Sequence, residues 1–265
     1  MDKQIQVADI LKKVRAKAPV VHNITNYVVM NWTANCLLSA GASPVMAHAP
    51  EEVEAMVGLS RALVINIGTL STKWIESMGL AMAAANKNIP VVLDPVGSGA
   101  TSFRTETAQY LIREFRPTVI RANASEILSL QENRLGTRGV DSSDSSDSAV
   151  NAASELSRDL NCVVCVSGEI DYVVNKDRVV KIANGHPIMT KVTGMGCAAS
   201  ALIGAFLGVH DDAFEATVAA MTVTGIAGEI AANLAQRPGS FQPRYLDALH
   251  AMDEESILKH QRIHS

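Results

Sequence analysis

Residues 62–95, ALVINIGTLSTKWIESMGLAMAAANKNIPVVLDP, decide the fold. Ala62–Ile67 is a six-residue, mostly apolar run rich in β-branched side chains. Ser71–Lys87 is an Ala/Met-rich stretch of helical length. Ile89–Leu93 is a second apolar run, and it stops at Asp94-Pro95. Runs this short, bounded by turn residues, predict strands buried on both faces. Two parallel strands need a long crossover, usually a helix, and the crossover is right-handed. The segment therefore predicts a βαβ unit.

The same rhythm extends in both directions. Upstream, Pro19–His22 predicts a strand, Tyr27–Ala40 a helix ending at Gly41, Pro44–Ala47 a short strand and Pro50–Ser60 a helix. Downstream, the expected elements are a helix over Thr105–Phe115, a strand over Thr118–Arg121, a short helix over Asn123–Gln131, a helix over Ala149–Leu160 and a strand over Cys162–Ser167. The alternation breaks after Ser167. Asp171–Asn175 and Arg178–Ile182 flank Lys176-Asp177 as a hairpin, so an antiparallel edge is expected. From Gly196 to about Ala235 the chain reads as a buried helical layer rich in Ala, Gly and Thr. The segment 141–148, DSSDSSDS, has no apolar residue and predicts a mobile loop. The expected fold class is α/β, three layers with a mostly parallel central sheet. One domain, 1–265, is expected, since no second core or internal repeat shows.

Composition narrows the function. The chain has 265 residues, 48% of them hydrophobic, and a formal net charge of −4. No basic stripe exists to neutralise phosphates, so no nucleic-acid partner is expected. No apolar stretch reads as a bilayer span, and Met1–Val20 carries charges throughout without an apolar h-region. No membrane partner is therefore expected, and a cytoplasmic location is. Four cysteines in a chain this long do not suggest a disulfide framework. Cys162 and Cys165 fall in one apolar run, three residues apart, and so point to opposite faces of a strand rather than at one ion.

Four segments carry candidate chemistry. Thr193-Gly-Met-Gly-Cys197 precedes an apolar helix. Glycines there leave backbone N–H groups open, and the helix N-terminus adds partial positive charge, a combination suited to phosphate. A tight strand-to-helix turn explains the glycines equally well. No Lys-Ser/Thr follows, so this is not a Walker A loop. Cys197 sits in the first turn, which favours thiolate and would make it a proton acceptor; a small buried apolar side chain is the plainer reading. In Val91-Val-Leu-Asp94-Pro-Val-Gly97-Ser-Gly-Ala100, Asp94 ends a parallel strand, where α/β folds bind ligands and where a carboxylate can hold magnesium. Asp-Pro before Gly-x-Gly also resembles a strand end of some nucleic-acid methyltransferases, but no Pro-Pro-aromatic stretch accompanies it. In Arg121-Ala-Asn-Ala-Ser-Glu126, Asn123 and Glu126 form a capping box. That leaves Arg121 unexplained except as a phosphate ligand, and Glu126 as a second acid near magnesium. In His22-Asn-Ile-Thr-Asn26, one or two residues are explained as helix caps, not all four. Met46 ends the next strand and is suited to lie against an apolar ring.

Taken together, VHNITNYVVMNWTANCLLSAGASPVMA (21–47), VVLDPVGSGAT (91–101), RANASEI (121–127) and VTGMGCAASAL (192–202) resemble the hydroxyethylthiazole kinase family. The resemblance implies a ribokinase-like fold, ATP as co-substrate, Mg2+, a homotrimer with sites between subunits, and thiamine salvage. It implies phosphorylation of the alcohol of 5-(2-hydroxyethyl)-4-methylthiazole. By motif, Met46, Gly194 and Asn26 would meet the thiazole, and Arg121 and Ser167 the ATP. Asp94 and Glu126 would serve magnesium, and Cys197, Gly194 and Gly196 the transfer step. Met195 departs from the family pattern, where a smaller residue is usual. The rivals are a kinase of the other thiamine precursor, hydroxymethylpyrimidine, a ribokinase-like ATP-dependent dehydratase, and a nucleotide sensor.

Overall fold

The structure is a computed structural model that describes residues 5–85, 88–135 and 145–265. The strands are β1 Val20–Ile24, β2 Ser43–Val45, β3 Ala62–Asn66, β4 Val91–Asp94, β5 Val119–Asn123, β6 Val163–Ser167, β7 Asp171–Asn175, β8 Arg178–Ile182 and β9 Ile263–His264. The α-helices are α1 Val7–Lys17, α2 Met30–Ala40, α3 Val53–Leu59, α4 Thr72–Ala85, α5 Ser102–Phe115, α6 Ala124–Leu135, α7 Ser145–Leu160, α8 Met195–Leu207, α9 Ala213–Leu234, α10 Pro238–Ala251 and α11 Glu254–His260.

One nine-stranded sheet runs in the order β2-β1-β3-β4-β5-β6-β7-β8-β9. Pairings from β2 through β6 are parallel, and those from β6 to β9 antiparallel. Alternate strand residues feed two cores. Val21, Val64, Val92 and Val119 pack with the layer of α1, α2, α8, α9 and α10. Leu63, Ile65, Leu93 and Ile120 pack with the layer of α3 to α7. That period of two is what a sheet covered on both faces requires. Cys165 enters the first core and Cys162 the second, so the two thiols do face opposite ways. α9 is long and apolar enough to cross a bilayer, but 72% of its apolar window is buried here, as in a core helix.

Three expectations change. The helix expected from Tyr27 starts at Met30, because Val29 N–H bonds back to Asn26 C=O (3.2 Å) in a turn and Tyr27 N–H to Thr69 Oγ1 (3.2 Å). Asn26 and Thr25 do not cap it: the cap residue is Val29, without a side-chain bond. The loop expected over 141–148 lies outside the described residues as far as 144, and residues 145–148 are already helical, opening α7.

Candidate active site

The carboxyl ends of β1, β3, β4, β5 and β6 converge on the first turn of α8. Parallel sheets collect ligand-binding groups at that edge. Gly194 precedes α8 with φ +83°, a left-handed conformation that favours glycine. An added Cβ there would stand 2.7 Å from Val29 Cγ1 and 2.9 Å from Trp32 Cδ1, so the start of α2 presses directly on the loop. The first bond of the helical ladder runs from Ala198 N–H to Gly194 C=O (2.8 Å). The amides of 195–197 therefore precede the ladder, with the positive end of the helix behind them.

Arg121 supplies the side-chain charge at this point. Its Nη2 donates to Ser167 Oγ (2.5 Å), and its Nη1 stands 3.8 Å from Asp94 Oδ2. A Cβ on Gly196 would fall 2.5 Å from Arg121 Nη1. Gly196 is thus needed for space: the guanidinium lies across the opening turn of α8. A cavity of about 950 Å³ opens over this assembly, lined by Arg121, Ser167, Gly194, Gly196, Asn184 and Thr224 among others. Met195 also lines it, with its side chain mostly buried in the core.

Asp94 is almost wholly buried. Its Oδ2 accepts from Ser200 Oγ (2.7 Å) and Asn66 Nδ2 (3.1 Å), while Oδ1 has no partner among the described residues. Burial pushes its carboxyl up to about 6, against the pull of Arg121 and Ser200. Glu126 closes the expected capping box: Asn123 N–H donates to its Oε2 (3.0 Å), and Asn123 Oδ1 accepts from Glu126 N–H (2.9 Å). Its Oε1 also accepts from Gly97 N–H (2.8 Å), which ties the loop after β4 to α6. Among the described residues no group of three or more His, Cys, Asp or Glu side chains is arranged to hold a metal ion. Two carboxylates, one with a buried free oxygen, fit Mg2+, which commonly takes one or two carboxylates and completes its shell with phosphate and water.

The expected acidity of Cys197 is reversed. Burial, reinforced by the charge of Asp94, pushes the thiol up to about 11. Desolvation of the anion outweighs the helix terminus. Cys197 Sγ accepts a hydrogen bond from Asn26 Nδ2 (3.5 Å). Asn26, Met46, Asp94, Glu126 and Cys197 all lie outside the cavity lining. Asn26, Asp94 and Cys197 flank its floor through hydrogen bonds and the Arg121 pair, whereas Met46 stands partly buried just beyond β2.

Three further residues shape this edge. Asn66 pairs with Asp94 across β3 and β4 and accepts from Asn26 Nδ2 (2.8 Å). A polar residue near the end of the run ALVINI was the available signal. Ser200 lies one helical turn past Cys197, the spacing that places both on one face of α8. Arg104 donates to the carbonyls of Ile67 (2.9 Å), Gly68 (2.8 Å) and Val96 (2.8 Å), joining the loops that leave β3 and β4.

Comparison with known proteins bears on the family and the fold. The model of the hydroxyethylthiazole kinase family matches residues 11–255. A hydroxyethylthiazole kinase of Syntrophus aciditrophicus is 52% identical over 255 residues, covering 96% of this chain and 94% of that protein. The structure of a hydroxyethylthiazole kinase from Pyrococcus horikoshii OT3 superimposes with a TM-score of 0.91 at 42% identity, covering 97% of this chain and 98% of that one. A ribokinase-like superfamily protein of Enterococcus faecalis V583 shares the fold with a TM-score of 0.65 at 13% identity, over 94% of this chain and 98% of its own. An α/β sheet with an antiparallel edge, a glycine-flanked helix start under an arginine, and near full-length identity above half lead to one statement: the chain belongs to the hydroxyethylthiazole kinase family.

Proposed function

We propose that the protein transfers the γ-phosphoryl group of ATP to the primary alcohol of 5-(2-hydroxyethyl)-4-methylthiazole, giving 4-methyl-5-(2-phosphoethyl)thiazole for thiamine salvage in the cytoplasm. The observation that carries this reading is the Arg121 guanidinium seated over Gly196, beneath a cavity large enough for a nucleotide. Arg121 and Ser167 bind the phosphates of ATP. Met46, Gly194 and Asn26 hold the thiazole. Asp94 and Glu126 hold Mg2+, which when bound neutralises phosphate charge.

The alcohol oxygen forms a bond to the γ-phosphorus, the bond from that phosphorus to the β-bridging oxygen breaks, and ADP leaves with the electron pair. Such a transition state is loose, so the protein's part is mainly positioning and charge stabilisation. The amides of 195–197 and Arg121 face the oxygens on which charge gathers. The hydroxyl proton leaves late, toward Cys197. Burial pushes that thiol up to about 11, so little thiolate is present at neutral pH to take the proton and its help as a base is modest. The family resemblance implies a homotrimer with sites between subunits, and Tyr27 and Val28, 64% and 65% exposed beside Asn26, offer apolar surface for a subunit contact there.

A coupled assay for ADP with Mg-ATP and either hydroxyethylthiazole or hydroxymethylpyrimidine tests the reading. Turnover with the thiazole alone is expected. Preference for the pyrimidine, or ADP release without a phosphorylated alcohol, would replace it. Cys197→Ala is expected to lower kcat by about 10- to 1,000-fold, toward the low side of the roughly 10²- to 10⁴-fold typical of general acid–base catalysis because so little thiolate is present. Cys197→Asp, whose carboxyl ordinarily ionises far below a thiol, is expected to retain or raise activity. Steady-state kinetics decides: full turnover in the alanine variant removes the base role, and a dead aspartate variant makes the cysteine structural.

A further inference from the structure

We infer that Asn66 is a positioning residue that fixes the direction of a hydrogen-bond relay from the Asp94 carboxylate, through Asn26, to the Cys197 sulfur. The inference rests on the role given to Cys197 above and extends it to a residue on a neighbouring strand.

The relay has one possible polarity. Asn66 touches four groups: Asp94 Oδ2 (3.1 Å), Gly68 N–H (3.0 Å), Asn26 Nδ2 (2.8 Å) and, by a further side-chain hydrogen bond, Cys197 itself. A backbone N–H only donates, so the bond from Gly68 fixes which end of the Asn66 amide faces it. Asn66 must therefore turn its NH₂ to Asp94 and its oxygen to Gly68. The reverse orientation would set oxygen against carboxylate and NH₂ against N–H. With that oxygen fixed, Asn26 must offer its own NH₂ to it. The same NH₂ group reaches Cys197 Sγ at 3.5 Å. The sulfur is thereby held as an acceptor, a bond that favours its charged form over the thiol. Asn66 is 1% exposed and Asn26 4%, so solvent competes little for these bonds.

Gly68 gives an independent sign that this arrangement is built. Its φ is not among the positive ones, so its backbone does not require glycine. A Cβ there would fall 2.5 Å from Asn26 Nδ2 and 2.8 Å from Asn26 Cγ. What Gly68 contributes is room: the Asn26 amide lies flat against its bare Cα. An added methyl pushes Asn26 out of line while leaving the Asn66–Asp94 bond intact. Gly68→Ala therefore breaks the relay at its middle without touching the carboxylate.

The experiment is a double-mutant cycle of Gly68→Ala with Cys197→Ala, read by kcat and by the KM for ATP at a temperature well below every variant's melting point. Gly68→Ala alone is expected to lower kcat at least tenfold but by no more than Cys197→Ala does, with the KM for ATP within about twofold. In the Cys197→Ala background it should add no more than about twofold, because the group it acts through is gone. Independent losses that multiply, or full turnover in Gly68→Ala, overturn the relay. Full turnover in Cys197→Ala instead overturns the base role, and any loss in Gly68→Ala then arises elsewhere, so the relay falls with it. Should Gly68→Ala not fold, Asn26→Leu in the same two backgrounds, read on kcat at saturating thiazole so that its part in holding the thiazole falls on the thiazole KM, gives the same decision.

Discussion

Arg121→Met is expected to lower kcat by about 10³-fold or more and to raise the KM for ATP, with a smaller change in the KM for the thiazole alcohol. The side chain is only 13% exposed, and it holds three positions at once: Ser167 Oγ, the neighbourhood of Asp94 Oδ2, and the bare face of Gly196. Little water reaches it, so its charge is screened weakly and acts strongly on phosphate oxygens. Methionine preserves the length and the apolar stem, so β5 keeps its packing and the loss reports on the guanidinium. Arg121→Lys should rescue little. One ammonium is a point donor and cannot face Ser167, Asp94 and the α8 turn together, as a planar fork does. Steady-state kinetics with ATP and alcohol varied separately checks the split. A loss below tenfold, or one confined to the alcohol's KM, would move the phosphate site away from α8.

How much of this was legible in the sequence depends on how local each signal is. Asp171–Asn175 and Arg178–Ile182 fall at the bounds the hairpin pattern gives, because the turn supplies its own geometry, with Lys176 at φ +58°. The βαβ unit read from residues 62–95 is present because runs such as ALVIN and VVLD are buried on both faces. Arg121, Asp94 and the 194–197 turn were visible as chemistry at strand and helix ends. The rest needed register. Asn66 and Asp94 are neighbours only because β3 lies beside β4, and no spacing in the chain says so. Arg104 looks like a surface helix residue until the carbonyls of two separate loops are seen to converge on it. β9 is two residues long, too short for any pattern; it is placed by Ala183 N–H bonding to Arg262 C=O (2.9 Å). The acidity of Cys197 was misjudged for a related reason. A helix start is visible in sequence, but the burial over it is not, and burial is the larger effect.

Asp94→Asn is expected to remove most activity, about 10²- to 10⁴-fold in kcat, while making the folded protein more heat-stable above neutral pH. Asp94 is 1% exposed, and its carboxyl is raised from 3.8 to about 6, first by burial. Between those values the folded state holds a proton that the unfolded chain has lost. Stability therefore falls as pH rises through that window, and the whole cost is present above about pH 7. That cost is at most about 3 kcal/mol. Asparagine has the same shape and no charge. Its oxygen can take the place of Oδ2 and keep the bonds from Ser200 and Asn66. The gain, already net of the attraction to Arg121, is offset in part by an amide NH₂ in the position of Oδ1, which has no partner, so a rise of a few degrees in Tm at pH 8 is expected. The rise should shrink toward zero near pH 4, where the wild-type carboxyl is itself protonated. Thermal melts of both proteins from pH 4 to pH 9 check this. A gain that is the same at every pH would assign it to packing rather than charge, and activity within tenfold of wild type would take Asp94 out of the magnesium site. Asp171, also raised to about 6 by burial, stays in both proteins, so it cancels in the difference and leaves Asp94 as the source of the pH dependence. A carboxylate kept buried and ionised at a cost in stability, with one oxygen left free, is what a site shaped around a cationic ligand requires.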